Sequence, residues 1–256
     1  MIRVVKIGGN VIDDEQILSR FLDLFVQLPS PKVLVHGGGK LATRLCEQLG
    51  IKTQMIDGRR VTDKDTLDVV TMVYAGLVNK HIVAQLQTRG QKAIGLSGAD
   101  ANLIPAHRRS PIPVDYGFVG DIVAEEVNAD FLQSLLQQGI VPVVCPLTHD
   151  GKGSMLNSNA DGVASAVAIA VSRIDETKLV YCFEKQGVLS DIENEDSVIP
   201  RIDAISFEQL KTDGVISKGM LPKIFSSMKA IESGVGSVVI KHADNLLNTI
   251  GTTIVK

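Results

Sequence analysis

Lys32-Val33-Leu34-Val35-His36-Gly37-Gly38-Gly39-Lys40 decides how this chain folds: a short β-branched run ends in three consecutive glycines, and a stretch of helical period follows. A buried strand that runs through a glycine turn into a helix is the start of a βα unit. Near the N-terminus Ile2-Arg3-Val4-Val5-Lys6-Ile7 runs into Gly8-Gly9-Asn10 in the same way. Further strands are expected over residues 93–96, 140–145, 178–183 and 237–241. Helices are expected over 13–28, 40–49, 63–88, 129–138, 159–172 and 220–233, with Gly50, Gly90, Gly139 and Gly234 as left-handed caps. Alternation of this kind predicts an α/β fold, a three-layer αβα sandwich on a mainly parallel central sheet. The stretch 98–127, with Pro105, Pro111, Pro113 and the alternating run from Tyr116 to Val123, breaks the rhythm and reads as antiparallel hairpins beside the sheet.

Composition narrows the function. Of 256 residues, 45% are hydrophobic and 21% charged, with a formal net charge of only -3, so neither nucleic acid nor a membrane surface is an expected partner. A small polar metabolite fits better. Cys46, Cys145 and Cys182 stand alone in apolar contexts, which suits core positions in a reducing compartment and argues against disulfides or zinc. The strand-like opening leaves no room for a leader, and no apolar run is read as approaching the about 18 residues of a membrane span, so a cytoplasmic protein is expected. The acidic stretch 191–197 reads as a solvated loop.

Open α/β sheets bind ligands beyond the carboxyl ends of their strands. There the first strand offers Lys6, a point charge, with Gly8 and Gly9, whose backbone N–H groups can approach phosphate oxygens. Taken alone, Lys-x-Gly-Gly is equally a tight turn. The second glycine turn changes the balance, because Gly37-Gly38-Gly39 before a helix makes another anion cradle, and two cradles side by side suggest two anions held together. Neither turn is a GxGxxG or a GxxxxGK[ST] motif, which disfavours a dinucleotide dehydrogenase or a P-loop enzyme. His36, at a strand end, reads as a satisfied core group.

Taken in order, Lys6-Ile7-Gly8-Gly9, His36-Gly37-Gly38-Gly39, Gly58-Arg59-Arg60-Val61-Thr62, Asn157-Ser158-Asn159-Ala160-Asp161 and Gly219-Met220-Leu221-Pro222-Lys223 resemble the motifs of the acetylglutamate kinases, a branch of the amino-acid kinase family. The resemblance spans essentially the whole chain. It implies ATP-dependent phosphorylation of the side-chain carboxylate of N-acetyl-L-glutamate, or of another N-acyl-L-glutamate such as N-succinyl-L-glutamate, in arginine biosynthesis. Such a transfer brings two anions together and needs positioning and positive charge rather than a covalent nucleophile.

By the same resemblance, Lys6 and Lys223 flank the transferring phosphoryl group and Asp161 orients both. Gly38 and Gly39 hold the reacting carboxylate, while Arg60 and Asn157 bind the α-carboxylate end, with Arg59 outside the site. The nucleotide falls to Glu184, Lys185, Gln186, Gly187, Val188, Leu189, Val215, Ile216 and Ser217, beside Gly8 and Gly9, with Mg²⁺ carried on its phosphates and no direct protein ligand. The resemblance also implies an N-terminal lobe, 1–172, for acyl-amino-acid binding and dimerisation, and a C-terminal nucleotide lobe, 173–256. Two departures stand out: Glu184-Lys185 replaces the usual Asp and apolar residue, and Lys218 occupies a turn position usually small or acidic.

Simpler readings exist for the same residues. Lys223 is equally an exposed helix lysine, and Asn159 or Asp161 a helix cap. The rivals are glutamate 5-kinase, aspartokinase, carbamate kinase or uridylate kinase, and a non-catalytic nucleotide- or oxyanion-binding protein on the same fold. In the arginine-sensitive branch a helix precedes the first strand and links dimers into a ring. Because Met1 here leads directly into the strand, a homodimer insensitive to free L-arginine is expected.

Overall fold

Alternate residues of the first strand, β1 (Ile2–Ile7), enter opposite cores. Ile2 and Val4 join one apolar cluster, Val5 and Ile7 the other, as the two-residue repeat of a strand covered on both faces requires. The computed structural model describes residues 1–56, 58–191, 193–216 and 220–256. Ser217, Lys218 and Gly219 lie outside the described residues.

Eight strands form the main sheet: β1, β2 (Lys32–His36), β3 (Ala93–Leu96), β4 (Val141–Val144), β5 (Thr177–Phe183), β6 (Arg201–Ile202), β7 (Ser237–His242) and β8 (Thr252–Ile254), in the order β6-β8-β7-β5-β1-β2-β4-β3. Every neighbouring pair is parallel except β7 with β8. On one face pack α1 (Glu15–Gln27), α2 (Gly39–Gln48) and α3 (Lys64–Thr88). On the other pack α4 (Ala129–Gln137), α5 (Ala160–Ser172), α6 (Ala204–Thr212) and α7 (Leu221–Glu232). This is the three-layer αβα sandwich. β1 pairs with β2 on one side and β5 on the other, so the strand order reverses direction at β1, and a crevice opens at its carboxyl end.

Four details differ from the sequence reading. The helix expected over 13–28 begins only at Glu15, because Asp14 caps the N–H groups of Gln16 and Ile17, and a separate single turn, Gly9–Ile12, precedes it. The expected continuous helix over 63–88 contains a π-helical stretch, Met72–Val78. This helix is also long and apolar enough to span a membrane by length and composition alone, which corrects the expectation that no run approaches that size. Its apolar character serves the core, where Leu67, Val70, Val73, Ile82 and Leu86 are buried. Finally, only Ala106–Arg108 and Gly120–Ile122 of the 98–127 excursion pair as a hairpin.

Candidate active site

The carboxylate of Asp161 lies between two lysines. Lys6 Nζ is 2.6 Å from Oδ1 and Lys223 Nζ is 3.3 Å from Oδ2. Three separate elements bring these groups together. Lys6 is on the same face of β1 as Val4, α5 begins directly above that face, and Lys223 lies in the first turn of α7. Asn159 caps α5 by accepting from the N–H groups of Asp161 and Gly162, which fixes the turn that carries the carboxylate. Capping and site geometry therefore coexist. Burial pushes the Asp161 carboxyl up, but Lys6 and Lys223 more than offset it, and the net direction is down.

A second cavity, of about 190 Å³, lies beside this triad and is lined by the Gly37–Gly39 turn, Arg60, Tyr74, Asn157 and Asn159 among others. Gly38 has φ +148°, and a Cβ there would sit 3.1 Å from the Tyr74 ring, so glycine is needed both for the turn and for the close approach. Arg60 is buried. Its Nη2 donates to Gly39 O at 3.0 Å and to Thr43 Oγ1 at 2.7 Å, while its Nη1 is buried without a partner among the described residues. A buried guanidinium in a cavity wall, with one nitrogen left unpaired, can receive a carboxylate. Asn157 is fixed by donating to Thr62 Oγ1, which itself donates to Arg60 O, and its side-chain oxygen has no partner among the described residues.

His36 supports the cradle from below, fully buried between Asn79 and the carbonyl of Gly37. Sequence reasoning missed Tyr74, whose π-helical setting turns it toward Gly38. The one signal was Gly76 inside an otherwise apolar helix. Arg59, expected outside the site, lines both this cavity and the larger one, of about 690 Å³, that contains Asp161 and Lys223. It reaches both because the Gln54–Ile56 and Arg59–Val61 hairpin folds over the junction of the two.

The expected nucleotide residues make contacts of their own. Gly8 donates its N–H to Cys182 O at 3.3 Å, which leaves Gly9, at the start of the Gly9–Ile12 turn, with an amide that has no partner among the described residues. Lys185 pairs with Glu195, and Gln186 accepts from Asn245. Val188 N–H donates to Thr252 Oγ1 at 2.8 Å, and a Cβ at Gly187 would meet the same oxygen at 2.8 Å. These two residues therefore seat β8 against the loop. Val188 and Ile216 are buried, Leu189 bridges to Val198, and none of Glu184 to Leu189, Val215 or Ile216 lines the cavity of Asp161 and Lys223.

Known proteins resemble this chain over almost its whole length. The signature of the Amino acid kinase family matches residues 1–242. The chain belongs to this family. It is 53% identical over 253 residues to an acetylglutamate kinase of Phocaeicola vulgatus, covering 99% of this chain and 98% of the relative. Among solved structures, smu.665 from Streptococcus mutans is 31% identical with a TM-score of 0.79, covering 99% of this chain and 98% of the other. N-acetylglutamate synthase from Neisseria gonorrhoeae, 24% identical, superposes with a TM-score of 0.84 over all of this chain and 59% of its own, and shares the fold. The chain is thus a kinase, a phosphotransferase of the amino-acid kinase fold.

Proposed function

We propose that the chain transfers the γ-phosphoryl group of ATP to the side-chain carboxylate of N-acetyl-L-glutamate, or of another N-acyl-L-glutamate, giving ADP and an acyl phosphate. The observation that carries this reading is the pair of lysines on one aspartate, next to a cavity with an unpaired guanidinium nitrogen. Lys6 and Lys223 would face the oxygens of the moving phosphoryl group and stabilise charge as it develops on the leaving nucleotide. Asp161 holds both ammonium groups in place. The Gly38–Gly39 backbone would hold the reacting carboxylate, and Arg60 with Asn157 the α-carboxylate end. A protein that only binds nucleotide has no need for two cations at this point.

ATP is the phosphoryl donor implied by the family. Asp161, the carboxylate nearest the proposed transfer point, is engaged by two lysines. Mg²⁺ is proposed to arrive on the nucleotide. The 1–172 segment is proposed as the acyl-amino-acid lobe and 173–256 as the nucleotide lobe, in a cytoplasmic enzyme of arginine biosynthesis. A homodimer is proposed as well, since Met72 and Leu77 on α3 and Ile94 on the open edge strand β3 leave large apolar side chains exposed.

Purified protein incubated with ATP, Mg²⁺ and either N-acetyl- or N-succinyl-L-glutamate in hydroxylamine should yield ADP and a trapped hydroxamate in equal amounts with at least one of them. ADP release that ignores the acyl-glutamate, with no hydroxamate, would sink the reading.

A further inference from the structure

Lys223 is held by more than Asp161. Its Nζ lies 5.2 Å from the ring centroid of Tyr181 and 5.3 Å from that of Phe183. The two aromatics are two residues apart on β5 and therefore project from the same face of the sheet. Tyr181 is also paired in register with Lys6 of β1, so one row of the sheet supports both lysines. Its hydroxyl donates to the backbone oxygen of Asp161 at 3.2 Å, which ties the same residue to the turn that carries the carboxylate.

We propose that Tyr181 and Phe183 form an aromatic seat that positions the Lys223 ammonium for phosphoryl transfer. This rests on the role given to Lys223 above and adds residues to it. A lysine has a flexible four-carbon stem and needs restraint if its charge is to meet the reacting group. A second carboxylate would restrain it, but would also set a negative charge against the incoming phosphate oxygens. The face of a neutral ring attracts the ammonium, adds no net charge and takes up none of its N–H donors. The seat stays neutral because burial, reinforced by the Asp161 carboxylate, pushes the Tyr181 phenol up. Asp161 would thus supply the one counter-charge while the rings supply direction.

The test is steady-state kinetics with the acyl-glutamate substrate on Phe183→Leu, Tyr181→Leu, Tyr181→Phe and Lys223→Ala, with each leucine variant also made in the Lys223→Ala background. Each leucine variant should lower kcat on the order of 10-fold with KM little changed. Tyr181→Phe, which keeps the ring, should recover most of what Tyr181→Leu loses. In the Lys223→Ala background the leucine substitutions should cost nothing further. Thermal melts identify any variant that does not fold, and Phe183, only partly buried, carries the test if Tyr181→Leu fails to fold. Wild-type kcat in Phe183→Leu, or losses that persist undiminished in the Lys223→Ala background, would overturn the aromatic seat. Wild-type kcat in Lys223→Ala would instead overturn the role assigned to the lysine.

Discussion

Nε2 of His36 accepts a hydrogen bond from Nδ2 of Asn79 at 3.0 Å, while its Nδ1 lies 2.7 Å from the carbonyl oxygen of Gly37. The carbonyl requires Nδ1 to carry the proton, so the ring is the neutral tautomer with Nε2 as acceptor. Protonation would set Nε2–H against the Asn79 amide. Burial pushes the His36 pKa down to about 4, with Lys80 adding to the effect. Because the folded value is below the unfolded one, the unfolded chain takes up the proton first. The stability this ring contributes is complete above pH 6.5 and is lost as pH falls from 6.5 toward 4. The full swing is about 3 kcal/mol. Urea melts at pH 7.5 and pH 5 should show a smaller pH difference in His36→Gln than in wild type, and equal differences would refute it.

Lys6→Ala should lower kcat by about 10²-fold to 10³-fold with little change in KM, the loss expected for one electrostatic group aimed at a transition state. A folded Lys6→Ala protein with near-normal kcat would remove Lys6 from the reaction.

Arg60→Ala should act on the other substrate. In the proposed site Arg60 binds a carboxylate that does not change during transfer, so KM for the acyl-glutamate should rise about 10-fold to 100-fold. The KM for ATP should stay put. Parallel weakening of both substrates would show that the guanidinium serves something else.

Gly187→Ala distinguishes packing from nucleotide binding. The new methyl group would meet Thr252 Oγ1 and Val198 Cγ1 at under 3 Å, a clash that should cost about 1–3 kcal/mol of stability. KM for ATP in the surviving folded protein should be close to wild type. An unchanged melting temperature with a raised KM for ATP would show that Gly187 serves the nucleotide site instead.

The central strands and the residues at their carboxyl ends were legible because β-branched runs and glycine turns each have one dominant local meaning. Lys6, Gly38, Arg60, Asn157, Asp161 and Lys223 all come to the crevice or its cavities. Other elements left weaker marks. α6 buries only Phe207, so its apolar periodicity is faint, and β6 and β8 are too short to alternate visibly. The positions of Arg59 and Tyr74 depend on a hairpin folding over and on a π-helical turn, both set by tertiary packing. For 184–189 the sequence pattern was shared between two demands, and the seating of β8 on Gly187 and Val188 is visible only once Thr252 is beside them.

Asp161 joins a lysine from the first strand to a lysine from the last long helix of the chain. The two lysines are separated by more than 200 residues of sequence, so the order of synthesis places Lys6 and Asp161 before Lys223. The proposed transfer site therefore has no complete form until α7 has been made and docked, and its two cations report on the folding of both ends of the sheet together.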